Sequence, residues 1–294
     1  MPVRLGISPI GWSNDDLPEL GGDTPLETCL AEARLAGFEG IELGNKFPRD
    51  PAVLRPILER QGLSLISGWY SGHLLARSVA EELAAIEAHR ALLVAMGCAV
   101  LVYAETSGSI AGDRCRPLSS RLRLGDNDWH DFGGRLTELA ERLLQCGIRL
   151  AYHHHVGTVV ESEAEIDRLM AVTGDSVGLL LDTGHLAFAG ADPTILARRY
   201  GHRIAHVHCK DVRRDILASV RAGDASFLDA VLDGVFTVPG DGCIDFGGVL
   251  AALAVADYSG WLVVEAEQDP AKAPPLAYAR LGFGHLSAAA RAGL

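Results

Sequence analysis

The sequence has no long apolar run, no paired cysteines and no surplus of positive charge, and each absence excludes a class of protein. No apolar stretch approaches the roughly 20 residues that cross a bilayer. The opening MPVRLGISPIGW carries neither an apolar leader segment nor a small-residue cleavage site, so neither a membrane partner nor secretion is expected, and a cytoplasmic location is. The six cysteines, Cys29, Cys98, Cys115, Cys146, Cys209 and Cys243, stand singly. Without a CxxC pair they form no zinc ribbon or disulfide framework and read as small, mostly buried residues. A formal net charge of −12 weighs against a nucleic-acid partner, whose phosphates demand a basic footprint. There is also no GxGxxG after the first apolar run and no P-loop lysine motif, which leaves dinucleotide and nucleoside-triphosphate binding without support.

What is present is an alternation. Eight short apolar runs, VRLGIS, EGIELG, LSLISG, AVLVYAE, IRLAYHHH, GLLLDTGH, RIAHVHCKD and WLVVEAE, are each followed by a helical stretch. Helix starts are marked where a hydroxyl precedes a glutamate by three residues, at Thr24-Pro25-Leu26-Glu27 and Ser78-Val79-Ala80-Glu81, and by Asp50-Pro51 and Asp192-Pro193. Expected stops are Gly62, Gly97, Gly147, Gly174 and Gly201. Strand then helix, repeated over 294 residues, fits one (β/α)8 barrel spanning residues 1–294, with a core large enough to need no staples. A doubly wound sheet shares the local pattern but gathers its ligands at one switch point. Here Asn14, Glu42, Tyr70, Glu105, His153, Asp182, His208 and Glu265 end all eight runs, the distribution of a barrel. The stretches around 105–126 and 212–244, the second carrying VPGDGCIDFGG, read as irregular active-site loops.

The last four runs hold the densest chemistry. Strand residues two apart share a face, so His153 and His155 point together while His154 points away, as do His206, His208 and Lys210, and Glu265 with Glu267. Asp182 ends a run of three leucines, with His185 one turn on; a carboxylate there calls for a partner or a metal. A mixed His/Asp/Glu set suits Mn²⁺, Co²⁺, Zn²⁺ or Mg²⁺. Taken singly, each residue has a plainer reading. His206 reads as a core histidine, Lys210 and Asp211 as a surface pair, Glu42 as a tie between strands, and Trp12 and Trp261 as packing. Four consecutive strands all ending in ligand-type residues is the observation that favours a metal.

These residues resemble the xylose-isomerase-like barrel superfamily, which includes sugar epimerases, keto-sugar dehydratases and an apurinic endonuclease group. The resemblance implies metal ligands at Asp182, His208 and Glu265, with His153 where a glutamate is usual and Glu267 as its substitute. It also implies that Asp245 caps the helix after VPGDGCIDFGG. Within the superfamily, the segments GISPIGWSNDDLPELGGDTPLE, GFEGIELGNKFP, YHHHVGTVVE, GLLLDTGHLAFAG and VVEAEQDP resemble the inosose dehydratases. That likeness implies metal-dependent removal of water from 2-keto-myo-inositol, a small polyol substrate, with Mn²⁺ or Co²⁺ and with glutathione as a further candidate cofactor, and assembly into a homo-oligomer. It casts His155, His185 and Lys210 as proton-transfer residues, with Lys210 lowered toward neutrality by a metal. Asn14, Glu42, Asn45 and Lys46 become the holders of ring hydroxyls. The alternatives are an epimerase or isomerase of a keto-sugar or keto-inositol, and a non-catalytic sugar-binding barrel; the net charge disfavours the endonuclease.

Overall fold

A computed structural model describes residues 3–292. Eight strands coincide with the eight apolar runs: β1 Val3–Ile7, β2 Gly40–Leu43, β3 Ser64–Gly72, β4 Val100–Glu105, β5 Arg149–His153, β6 Gly178–Asp182, β7 Ile204–Cys209 and β8 Gly260–Val264. They pair in chain order, all parallel, and β8 returns to β1 in register from Val3↔Gly260 to Ile7↔Val264, closing the barrel. Parallel strands covered on the outside by helices are buried on both faces, which is why these runs are nearly continuous Leu, Val and Ile. The main core lies between strands and helices, with Leu101, Leu150, Leu179, Val207 and Leu262 fully buried among Phe132, Leu136, Leu196 and Val249.

The inside of the barrel is different. Val102, Ala151 and Leu180 form a small apolar group there, but Ser67 on β3, Glu42 on β2 and His206 on β7 meet across the bore. Polar groups so far from water are stable only when bonded to one another, and these are.

The helix signals hold in most places. Ser78 and Glu81 form a reciprocal capping box ahead of Val79–Ala95, and Asp50, Asp192 and Asp245 accept from the first-turn N–H groups of their helices. Thr24 does not cap, because the helix Leu26–Ala36 starts from Pro25 with no side-chain bond. Gly62, Gly97 and Gly147 take the left-handed conformation. Gly174 and Gly201 do not: the helix Glu163–Val172 ends on an extended Thr173, and Gly201 opens a 3-10 turn.

The stretch 105–126 is irregular apart from the turn Leu118–Ser120, but 212–244 is not. It contains helices Arg214–Gly223 and Phe227–Leu232 and a short antiparallel ladder pairing Asp211–Val212 with Phe236–Thr237. Phe227, Leu228, Val231 and Phe236 pack with Val156, Phe188 and Leu217 into a second core on the side where the strands end. No described helix is long and apolar enough to cross a membrane.

Candidate metal centre

Consecutive strands β5, β6, β7 and β8 deliver His153, Asp182, His208 and Glu265 to one point. Asp182 and His208 are direct register partners, and Val263, two residues before Glu265 on the same strand face, pairs with His208 on its other side. His153 Nε2 lies 3.5 Å from Asp182 Oδ2, and Asp182 Oδ2 lies 3.6 Å from His208 Nδ1. His208 Nδ1 also faces Glu265 Oε2. Four ligand atoms within 4.8 Å of one another match a shared ion, since ligands bound at about 2.1 Å around a tetrahedron lie about 3.4 Å apart. Asp182 Oδ2 and His208 Nδ1 are buried without a hydrogen-bond partner. A carboxylate oxygen and an imidazole nitrogen left so, both aimed at one point, are the donors a divalent cation takes.

The charges agree. Burial would push Asp182 up, but Lys210 and His185 outweigh it and hold the carboxyl well below its usual range. Burial likewise opposes ionisation of Glu265, yet His208 and Lys210 hold it down to about 2. Burial lowers His153, keeping the imidazole in its neutral, ligating form. His208 is buried too, but the carboxylates of Glu265 and Glu42 raise it; the site is rich enough in negative charge to retain a proton where a metal ion would supply the compensation.

Glu42 makes the tie between strands that its plainer reading expects. Its Oε1 accepts from His206 Nε2 and His208 Nε2, each at 3.0 Å, and from Ser67 Oγ. An imidazole donating through Nε2 presents its Nδ1 lone pair, so Glu42 turns His208 toward the candidate ligand position. His206 is the core histidine expected of it.

Behind this set lies a second one. Lys210 is fully buried, with Nζ 2.7 Å from Glu267 Oε2, 2.9 Å from Glu265 Oε1 and 2.9 Å from His185 Nε2. Burial would depress this lysine, but Glu265, Glu267 and Asp182 outweigh burial and raise it. It does not pair with Asp211, whose carboxylate accepts from the backbone N–H groups of Gly240, Gly242, Cys243 and Ile244 and so fixes the VPGDGCIDFGG loop. His155 Nε2 lies 3.8 Å from Glu267 Oε1; burial opposes its charge, but Glu267 prevails and raises it. Burial, His155 and Lys210 drive His185 well below its ordinary value.

The centre opens into a cavity of about 370 Å³ lined by Glu42, His155, His208, Glu265 and Glu267, and by Asp15, Asp16, Asn45, Arg49, Trp69, Thr106, Ser109 and Thr158. His185 and Lys210 are not among its lining residues, and neither are Asn14 and Lys46. The Asn14 amide oxygen is taken by the N–H groups of Asp16 and Leu17, and the Lys46 ammonium by the carbonyls of Gly21, Gly22 and Thr24. Both brace the loop after β1. Asn45 is placed as expected, in the cavity wall. Asp15, Asp16 and Arg49 lie beside the residues singled out from sequence. Trp69, not Tyr70, turns to the site, with its ring 5.2 Å from His153 and 5.7 Å from His155, while Tyr70 packs on His89 and Tyr103.

Residues 30–289 match the sequence profile of the xylose isomerase-like TIM barrel family, and the chain belongs to that family. It is 54% identical over 293 residues to the rhizopine catabolism protein MocC of Rhizobium meliloti, covering 99% of this chain and 90% of that one. It is 47% identical over 279 residues to an inosose dehydratase of Geobacillus thermodenitrificans, covering 94% of each, and 44% identical over 290 residues to that of Lacticaseibacillus casei, covering 98% and 97%. Among solved structures, an L-ribulose 3-epimerase superposes with a TM-score of 0.72 over 99% of this chain and 95% of its own at 19% identity, a likeness of fold alone.

Proposed function

We propose that this chain is a metal-dependent hydro-lyase that removes water from 2-keto-myo-inositol, giving a trihydroxycyclohexane-1,2-dione. The observation that carries the reading is the cluster of His153, Asp182, His208 and Glu265, of which His208 and Glu265 line the same cavity as His155 and Glu267, the proposed proton-transfer pair. The chain is also 44–47% identical to inosose dehydratases over more than nine-tenths of its length.

The reaction must take a proton α to a ketone and expel the β-hydroxyl. When bound, a divalent ion, Mn²⁺ or Co²⁺ for this mixed donor set, supplies a Lewis acid worth several kcal/mol to the negative charge that develops on the carbonyl oxygen. The chain supplies the rest. Asn45, Arg49, Asp15, Asp16, Thr106 and Ser109 offer donors and acceptors to a ring of hydroxyls, and Trp69 offers an apolar wall. Glu267, a carboxylate on the cavity surface, takes the proton from carbon. His155, whose charged form Glu267 favours, gives its Nε2 proton to the departing hydroxyl, which leaves as water. Passage of the acquired proton from Glu267 to His155 restores the pair, as general acid–base catalysis requires.

The test is to incubate metal-stripped and Mn²⁺- or Co²⁺-restored protein with 2-keto-myo-inositol, with and without glutathione, and to weigh the product. The expected product is one water lighter and forms only in the restored samples. A product of unchanged mass would move the function to epimerisation or isomerisation, and no product would reject this substrate. A second substrate reading is favoured by the 54% identity to a rhizopine catabolism protein: the same elimination on a compound of that route, checked by running rhizopine in parallel.

A further inference from the structure

His155, His185 and Glu267 form a second buried donor set, with ligand atoms within 4.8 Å of one another, directly beside the first. Two donor sets of this kind side by side are the frame of a two-metal site. We infer that Lys210 is a built-in cation holding the place of the second ion, so that the barrel mouth takes only one metal. The inference rests on the metal-centre reading above.

An ammonium group has three hydrogens to donate, and Lys210 Nζ has two carboxylate acceptors, Glu267 Oε2 at 2.7 Å and Glu265 Oε1 at 2.9 Å, with His185 Nε2 a third neighbour at 2.9 Å. Glu265 is shared between the two positions, with Oε2 facing His208 in the first set and Oε1 on the lysine. Asp182 Oδ2, a ligand atom of the first set, lies 3.8 Å from Nζ. That is how a carboxylate bridges two adjacent cations. A fully buried charge is tolerated only when paired, and here the lysine also offsets carboxylates that would otherwise repel one another.

The position is built around the lysine stem. Thr183 Oγ1 accepts from Lys210 N at 3.0 Å and donates to Lys210 O at 2.6 Å. A Cβ at Gly184 would come within 2.7 Å of Lys210 Cβ and Cδ, so only glycine leaves room for the stem. Nζ lies 4.8 Å from the centre of the Phe236 ring, whose face favours a cation.

The experiment is titration of metal-stripped protein with Mn²⁺ by calorimetry, with the bound metal counted by mass spectrometry after gel filtration. Wild type is expected to take one ion per chain. Lys210→Ala is expected to take about two, and the second is expected to be lost again when His185→Ala is added. Lys210→Ser carries the same expectation should the alanine variant not fold. Wild type taking two ions would overturn the inference, as would a folded Lys210 variant that still takes one. Wild type taking none would reject the metal centre itself and the inference with it.

Discussion

Glu42 receives two imidazole N–H groups and one hydroxyl on a single carboxylate oxygen, deep in the barrel bore. On the proposed reading it holds His208 in the tautomer that can ligate a metal, and such outer partners typically matter 10–100-fold in metal affinity. Glu42→Gln is therefore expected to raise the Mn²⁺ dissociation constant by about that factor, measured by calorimetry; an unchanged affinity would mean that His208 is positioned by other contacts. At this scale the sequence is readable where the strand period is regular. His153 and Glu265 come from such runs, and for Asp182 and His208 counting by two holds from Leu180 and His206 onward, past a register shift between Leu179 and Leu180. Counting fails on β3. Register against β2 slips between Ile41 and Leu43, where Ile41 faces Leu65 but Leu43 faces Gly68. An extra residue of this kind reverses every later side chain, so Trp69 takes the inward place that Tyr70 was expected to fill. The identity of Glu42 as a site residue was visible, but its partners lie on β3 and β7, at separations of 25, 164 and 166 residues, beyond any local pattern.

Helices and loops bring the cavity wall together through Arg121. Its guanidinium, 2% exposed, donates to both oxygens of Glu165 at 2.7 and 2.9 Å and to the carbonyl of Thr158 at 3.2 Å. Thr158 in turn donates to the His155 carbonyl at 2.8 Å. The loop after β4 is thus fastened to the start of the helix Glu163–Val172 and to the turn that carries the proposed acid. Burial would raise Glu165, but the Ser162 N–H and Arg121 outweigh it and lower the carboxyl below its ordinary value of 4.5. A lowered folded value contributes stability that is complete above pH 4.5 and disappears as pH falls below it. Wild type is expected to melt higher than Glu165→Gln at neutral pH, with the gap closing below about pH 4.5; a gap constant down to pH 3 would contradict the assignment. Elements with regular periods and strong caps were legible, as at Ser78 and Asp192. Helices Arg214–Gly223 and Phe227–Leu232 were not. Each is short, they are separated by Asp224, Ala225 and Ser226, and their apolar residues are buried against Val156, Phe188 and Phe236 from other parts of the chain.

Over the whole molecule, eight parallel strands fix the geometry that the chemistry needs. Closure of β8 on β1 brings residues near both ends of the chain to one mouth, so that Asp15 and Glu267 line the same cavity. This much followed from the order of runs and the polar residue at the end of each, because a closed parallel barrel aligns all strand ends on one face. The division of labour within the mouth did not follow, since it depends on which groups end up in the cavity wall and which behind it. The central claim is that one cation held by His153, Asp182, His208 and Glu265 is indispensable to dehydration. Asp182→Asn tests it most directly, because asparagine keeps the oxygen that accepts from the His185 N–H and starts the helix Thr183–Ala189 while removing the charge aimed at the ion. The expected result is a folded variant that no longer retains Mn²⁺ or Co²⁺ and forms no dione from 2-keto-myo-inositol; a variant with full metal content and full turnover would contradict the claim.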